Sequence, residues 1–189
     1  MMLRKERPKE ENVIILDYLQ HGYPMDPRPA HRKTSIAQAI GKNHFTLLEL
    51  VPKKEAFLQP HEEVYIGSEK REKIHHILGK LPYDKLTATA RNEMEHVVKK
   101  MVEDNEARFV DFFNKSQPLG TRIHQIELLP GIGKKHMWEI LEARKEKEFT
   151  SFDDIKQRVK LMPDPKAAII KRIVEELEGK EKHLLFVGM

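Results

Sequence analysis

The 189-residue sequence contains no cysteine, few aromatic residues (7 %) and no long apolar run. Without cysteine, the protein cannot form disulfides, thiolate zinc sites or iron–sulfur clusters, and it has no cysteine nucleophile. Its longest apolar runs, such as Val13–Leu16, are far shorter than the ~20 residues of a membrane-spanning helix. Residues 1–11 form a charged N-terminal arm without the apolar centre of a signal peptide, so we expect a cytoplasmic protein.

Neither sign of charge dominates the sequence. Lys and Arg total 34 and Asp and Glu total 30, for a net charge of +4. This dense but balanced charge, 34 % of all residues, indicates a folded protein with an ion-paired surface, because a disordered polycation would be far more one-sided. The richness in Lys and Glu together with the absence of cysteine favours a thermophilic source.

Residues 12–86 contain five short β-type runs separated by turn residues. Five short strands in a segment of this length predict a small barrel, for which we favour an OB-like fold over an SH3-like one, although strand count does not separate the two. The runs are Val13–Leu19, Ser35–Ile40, Phe45–Val51, Val64–Gly67 and Ile74–Leu81.

The rest of the chain has a helical period, so the predicted class is α+β. Apolar residues at steps of three and four predict one connecting helix over residues 87–116. Residues 117–180 form an all-α domain with loops at 129–134, 148–151 and 161–165. Ser151 with Asp154 predicts a capping box, and Asp164 before Pro165 predicts a helix N-cap. The apolar end, residues 181–189, predicts a final strand that returns to the barrel.

The segment Leu128–Lys135 resembles the hairpin of a helix-hairpin-helix module, and its residues 129–135 are here called the first hairpin. Its glycines let the backbone turn sharply, and the helix that follows presents unpaired N–H groups and a positive dipole end. A phosphate oxygen fits such a place, and the two lysines add positive charge. The central isoleucine anchors the turn in the core. The predicted nucleic-acid contacts are Gly131, Ile132, Gly133, Lys134 and Lys135.

A second, degenerate unit follows the first hairpin. Phe149, Ser151, Asp154 and Ile155 match the connector of tandem helix-hairpin-helix domains. The second hairpin, Leu161–Pro165, is predicted to carry prolines where the first has glycines. Proline donates no N–H and an aspartate repels phosphate, so we expect this unit to be structural.

The order of barrel, helix and tandem module resembles an archaeal domain-of-unknown-function family of proteins thought to bind nucleotides or nucleic acid. The resemblance rests on domain order, the Leu-Pro-Gly-Ile-Gly hairpin and the apolar C-terminus, and it covers nearly the whole chain. It implies an OB-like barrel joined to a helix-hairpin-helix domain and an archaeal origin, but no known reaction.

The barrel offers further candidate residues. In an OB-like barrel the loop between the first two strands commonly grips nucleic acid, so its basic residues are predicted phosphate contacts; a solvated loop is an equal alternative. The candidates are Arg28, His31, Arg32 and Lys33, with Tyr18, Tyr23, Tyr65 and Phe45 as possible stacking residues, at least half of which we assign to the core. Adjacent His75 and His76 are expected on opposite strand faces, and we expect neither a metal site nor a cofactor.

The favoured function is therefore binding of DNA or RNA backbone without sequence readout and without catalysis. A protein-interaction module is one alternative, because the helical domain is nearly neutral. A base-excision glycosylase is a less favoured one: Lys135 and Asp153 have the approximate spacing of its catalytic pair, but Asp153 lies in a capping segment where it should face solvent. So short a chain also lacks the many-helix scaffold of a base-flipping enzyme.

Overall fold

The computed structural model describes residues 9–189, and those residues form a mixed α+β fold. Two compact units are present: a sheet unit, which takes in the chain up to Val97 together with Glu176–Met189, and a helical unit, Val98–Glu175. The predicted arm falls largely on residues 1–8, outside the described residues. Within residues 9–189 no helix combines the length and the apolarity needed to cross a membrane.

The sheet unit is built on a curled sheet of five antiparallel strands in the order β4-β1-β2-β3-β5. The five predicted strands are confirmed, with ends that shift by at most two residues. Because β4 and β5 are the two edges of the sheet, the barrel is open between them. The strands are β1 (Asn12–Leu19), β2 (Ile36–Gly41), β3 (Leu47–Pro52), β4 (Glu63–Tyr65) and β5 (Ile74–Lys80).

The curl of the sheet follows from its central strands. Strand β2 is buried at all six positions. The pairing of β1 with β2 shifts between Ile15 and Asp17, and the extra residue, Leu16, is as fully buried as Ile15. A bulge of this kind bends a strand and increases its twist, so apolar side chains enclose the core from both sides.

A buried carboxylate fixes the turn between β2 and β3. The Glu10 side chain accepts hydrogen bonds from the backbone amides of Asn43 (2.9 Å), His44 (2.8 Å) and Thr46 (3.2 Å). A Cβ atom at Gly41 would overlap this carboxylate, so the position requires glycine. Glu10, which the sequence assigned to the charged N-terminal arm, is thus part of the sheet unit.

Five α-helices complete the fold. The predicted connecting helix is two helices, because Asn105 leaves the helical conformation (φ −131°, ψ 39°) between α1 and α2. A 3-10 turn over Gln125–Leu128 precedes the first hairpin. The helices are α1 (Ala88–Asp104), α2 (Glu106–Lys115), α3 (Lys134–Glu146), α4 (Phe152–Arg158) and α5 (Pro165–Leu177).

The predicted helix starts are confirmed. The Ser151 hydroxyl accepts a hydrogen bond from the Asp154 amide (2.9 Å), which caps α4. Only this half of the predicted capping box forms, because the Asp154 carboxylate accepts the Thr150 amide instead of the Ser151 amide. The Asp164 carboxylate caps α5 by accepting from the Lys166 amide (2.9 Å). Pro165 is the first helical residue, where its missing N–H costs nothing.

The predicted C-terminal strand is wrong, since residues 181–189 contain no strand. The buried Glu176 carboxylate instead accepts the amides of Leu185 (2.7 Å), Phe186 (3.0 Å) and Val187 (2.9 Å). Three successive amides that converge on one carboxylate cannot pair with a neighbouring strand, whose ladder needs them pointing alternately to opposite sides.

Candidate nucleic-acid interface

The first hairpin is a tight turn that leads directly into α3. Gly131 has a left-handed backbone (φ +78°), which glycine adopts without strain. The Ile132 amide donates to the Leu129 carbonyl (3.1 Å), and Gly133 is the N-cap of α3. The side chain of Ile132 is buried, which confirms its predicted anchoring role.

The tip of the first hairpin presents hydrogen-bond donors that the protein itself does not use. Within residues 9–189, the amides of Gly131, Gly133, Lys134 and Lys135 make no hydrogen bond, and the two lysine side chains are exposed and form no ion pair. A Cβ atom at Gly133 would meet nothing within 4 Å, so the surface there is open. The donor of Ile132 is consumed by the turn, so this residue supports the site without a free donor of its own.

At the second hairpin, the polar groups are paired with other groups of the helical unit. Asp164, at the N-cap, takes the amides of Lys166 and Ala167, and Pro165 has no N–H to donate. The Lys166 ammonium pairs with Glu103 (3.1 Å), and the Lys156 ammonium pairs with Asp164 (2.9 Å). Burial opposes ionisation of Asp164, but the Lys156 ammonium and the two amides outweigh it and lower the pKa of the carboxyl.

The prolines do not occupy the glycine positions that the sequence predicted for them. Leu161, not a proline, takes the left-handed conformation (φ +61°), and Asp164 rather than Pro165 stands at the N-cap. The left-handed residue precedes the N-cap by two positions in the first hairpin and by three in the second. The longer turn places Pro163 beside the first hairpin, since a Cβ atom at Gly131 would lie 3.2 Å from the Pro163 Cγ atom.

Comparisons with known proteins agree with this fold. A family model described as a protein of unknown function (DUF655) matches residues 9–188. The chain belongs to the DUF655 family. An uncharacterized protein of Methanocaldococcus jannaschii is 42 % identical over 188 residues, which cover 97 % of this chain and 83 % of that relative. The crystal structure of Af1531 from Archaeoglobus fulgidus, 41 % identical, superposes with a TM-score of 0.85 over 94 % of this chain and 99 % of that one.

Arginines of this DUF655 chain are used inside the helical unit to close helix ends. The Arg144 guanidinium donates to the carbonyls of Phe113, in the last turn of α2, and of Ser116, the C-cap of that helix (both 3.0 Å), and burial lowers the pKa of Arg144. Arg158 donates to the Lys147 carbonyl (2.7 Å) at the end of α3, and Arg172 donates to the Leu128 carbonyl (2.9 Å). Lysines, not these arginines, therefore provide the free positive charge of the first hairpin.

The loop between β1 and β2, here called the basic loop, is only partly free to bind a ligand. Arg28 pairs with Asp26 (2.7 Å) and also donates its amide to that carboxylate, which lowers the pKa of Asp26 to about 2. Within the described part of the chain, His31, Arg32 and Lys33 form no ion pair. The loop candidates thus reduce to these three residues.

Most of the predicted stacking residues are already engaged in contacts within the protein. Phe45 is buried, and the Tyr65 hydroxyl accepts the Glu69 amide (3.2 Å). Tyr18 contacts Phe57 edge to face, with ring centroids 5.4 Å apart. Two exposed aromatic residues escaped the sequence analysis: Phe57 is 60 % and Trp138 is 58 % exposed. The sequence around each of these two aromatic residues does not indicate whether its side chain is exposed.

Tyr23, near the start of the basic loop, is held to the sheet by a network of polar side chains. The fully buried Gln38 side chain donates to the Tyr23 hydroxyl (3.1 Å) and to the Lys85 carbonyl (3.0 Å), and it accepts the Thr87 amide (2.9 Å). The Tyr23 hydroxyl donates to Glu49. Burial and the Glu49 carboxylate raise the pKa of Tyr23 to about 12.

The histidine pair on β5 does not divide between two faces as predicted. A register shift leaves His75 without a partner on β3, and the His75 and His76 rings meet with their Nδ1 atoms 2.7 Å apart. Across residues 9–189, no group of three or more His, Asp or Glu side chains is placed to hold a metal ion. Asp153 is exposed on the first turn of α4.

Proposed function

We propose that the helical unit binds the phosphate backbone of DNA or RNA through the first hairpin, without sequence readout and without catalysis. The observation that carries this proposal is the contrast between the two hairpins. The first leaves backbone amides and two lysines unpaired among the described residues, whereas the second has spent the equivalent groups on Asp164 and Glu103.

The chemistry of the first hairpin suits a phosphate oxygen. Amide donors at the start of α3 act together with the positive end of the helix dipole, and the side chains of Lys134 and Lys135 add charge. Contacts of this kind fix the position of a nucleic acid but do not read its bases. We therefore expect strong salt dependence and weak sequence preference.

The finer architecture is part of the same proposal. Two hairpins, each with a left-handed residue shortly before a helix, support a tandem helix-hairpin-helix interpretation of the helical unit. The curled five-stranded sheet supports an OB-like interpretation of the sheet unit. His31, Arg32 and Lys33 then supply a second, weaker phosphate contact, to which the paired Arg28 adds little.

The test compares Lys134→Ala with Lys166→Ala in fluorescence anisotropy titrations against single-stranded and duplex oligonucleotides at several salt concentrations. Lys134→Ala should weaken binding by about 1.5–3 kcal/mol at most, less at an exposed contact, because one charge-assisted phosphate contact is lost. Its log K against log salt slope should become shallower by about 0.9 for duplex or 0.7 for single strands.

Lys166→Ala is the matched control, since it removes the lysine that directly follows the second hairpin and breaks only a surface ion pair with Glu103. It should leave the affinity nearly unchanged. Equal weakening by both variants, with circular dichroism showing both folded, would reject the proposal. A failure of every oligonucleotide to bind would reject it too and favour the protein-interaction alternative.

A further inference from the structure

The single tryptophan of the chain, Trp138, lies on the exposed surface of α3. Trp138 is 58 % exposed, whereas Met137 and Ile140, on the other side of the helix, are buried. Within residues 9–189 its indole makes no hydrogen bond, ring contact or cation–π contact. Covering the large apolar ring of an exposed tryptophan on binding is favourable, and tryptophan is enriched at the surfaces through which proteins bind other molecules.

Trp138 shares a helix face with the free lysines of the first hairpin. Lys135 precedes it by three positions and Lys134 by four, and residues so spaced have Cβ atoms about 5–6 Å apart. The exposed surface therefore runs from unpaired amides and ammonium groups directly to an unpaired aromatic ring. On one side of the ring lie the two lysines, which have no ion-pair partner among the described residues, and on the other lies Glu142, which is paired with Lys145. The end of this surface at the first hairpin is therefore positive, which favours an anionic occupant there.

An unpaired nucleotide satisfies both halves of this surface. Its phosphate matches the amides and lysines, and its base offers a π-face that stacks on an indole. In a duplex, both faces of each internal base are already covered by neighbouring bases, so duplex backbone would leave Trp138 unused. An apolar peptide would cover the ring but would leave the cationic groups without a counter-charge.

We infer that Trp138 is a stacking residue that holds one unpaired base next to the phosphate bound by the first hairpin, so that the ligand is single-stranded or locally unpaired DNA or RNA. This inference rests on the proposed function and goes further, because backbone contacts alone do not distinguish single strands from duplex. Stacking accepts any base, so it adds strand preference without sequence readout.

Intrinsic fluorescence tests the contact directly, because the protein contains one tryptophan. The protein is titrated with a single strand of about twelve nucleotides, as DNA and as RNA, with an abasic strand of equal phosphate count, and with a duplex. Strands that carry bases should quench the emission of Trp138, while the abasic strand and the duplex should bind without comparable quenching. Equal quenching by the abasic strand would overturn the inference.

Variants separate stacking from backbone binding. Trp138→Ala should weaken binding of the base-carrying single strand about tenfold and leave the abasic strand within twofold, since one stacked base is lost. Trp138→Phe should retain most of the affinity. Leu161→Ala, which removes the exposed apolar side chain of the second hairpin, is the matched control and should change neither.

The two possible failures are distinguishable. If Lys134→Ala weakens binding to all strands while Trp138→Ala changes nothing, the stacking inference is overturned and the proposed function stands. If binding of every strand is insensitive to Lys134→Ala, both are overturned. An equal loss for base-carrying and abasic strands in Trp138→Ala would show that the indole supports the hairpin rather than a base.

Discussion

Single residues of this protein show how far local sequence predicts a side chain's surroundings. The roles of Gly131 and Ile132 were predictable, because a turn before a helix is decided within a few residues. Glu10 was not, because its carboxylate is buried by amides that lie 33 or more positions further along the chain. The exposure of Trp138 is likewise set by tertiary packing, which the sequence pattern of α3 does not contain.

Tyr23 predicts a stability change at high pH. Its pKa is raised from 10.0 to about 12, so the folded protein favours the neutral phenol, which donates to Glu49. The contribution is complete below the unfolded pKa of 10.0 and is lost as the pH rises towards about 12. Tyr23→Phe should lower the free energy of unfolding by about 1 kcal/mol at neutral pH, and this difference from wild type should shrink as the pH rises through this window.

The measurement is the free energy of unfolding of both proteins by urea at a series of pH values. The remaining tyrosines and lysines titrate in both proteins, so their contributions cancel when the free energies of unfolding of wild type and Tyr23→Phe are subtracted. A difference that stays constant from neutral pH to about 12 would contradict the assigned pKa.

At the scale of elements, capping residues in the sequence predicted where two helices begin, but the apolar period did not predict the break between α1 and α2. Capping residues Ser151 and Asp164 located α4 and α5, because a cap is a contact within three residues. The break at Asn105 lies inside a continuous apolar period and was not predicted; Asn105 is the N-cap of α2, but its side chain makes no capping hydrogen bond. The second hairpin was misread because a turn one residue longer shifts every equivalent position.

Leu161 and Gly131 should respond oppositely to substitution. Leu161 is 91 % exposed and left-handed, a conformation that costs an L-residue about 1–2 kcal/mol, so Leu161→Gly should leave stability unchanged or raise it by up to about 1 kcal/mol. Gly131→Ala should lower stability by about 1–2 kcal/mol, because it adds a Cβ at positive φ beside Pro163. Urea denaturation measures both; a marked loss in Leu161→Gly would show that the leucine side chain is needed by the turn.

At the scale of the whole molecule, the order of runs and periods was sufficient to predict an α+β protein with five strands followed by helices. Strand order, the bulge at Leu16 and the opening between β4 and β5 were not predictable, because they depend on pairings between distant segments. The proposed interface was found from sequence where it is local, at the first hairpin. The structural role of the second hairpin was predicted from Asp164, but the pairing of Lys166 with Glu103 was not, because it joins residues 63 positions apart.

We predict that the protein does not excise damaged bases. A catalytic pair needs a positioned, largely water-free site, yet Lys135 and Asp153 are both exposed. Incubation with duplexes containing damaged bases should give no product. Turnover that disappears in both Lys135→Ala and Asp153→Asn would contradict this expectation, whereas turnover insensitive to both would point to a contaminating enzyme.

The irregular pairing of β5 with β3 has a consequence for behaviour at high concentration. Register shifts leave both His75 and Leu78 without a partner on β3, so this sheet-edge strand carries two bulges within seven residues. A strand interrupted in this way offers few consecutive, evenly spaced amides and carbonyls to a foreign chain. We therefore expect the open sheet to resist fibril growth, and deletion of His75, which removes one of the two bulges, to make this edge a better template for intermolecular strand pairing.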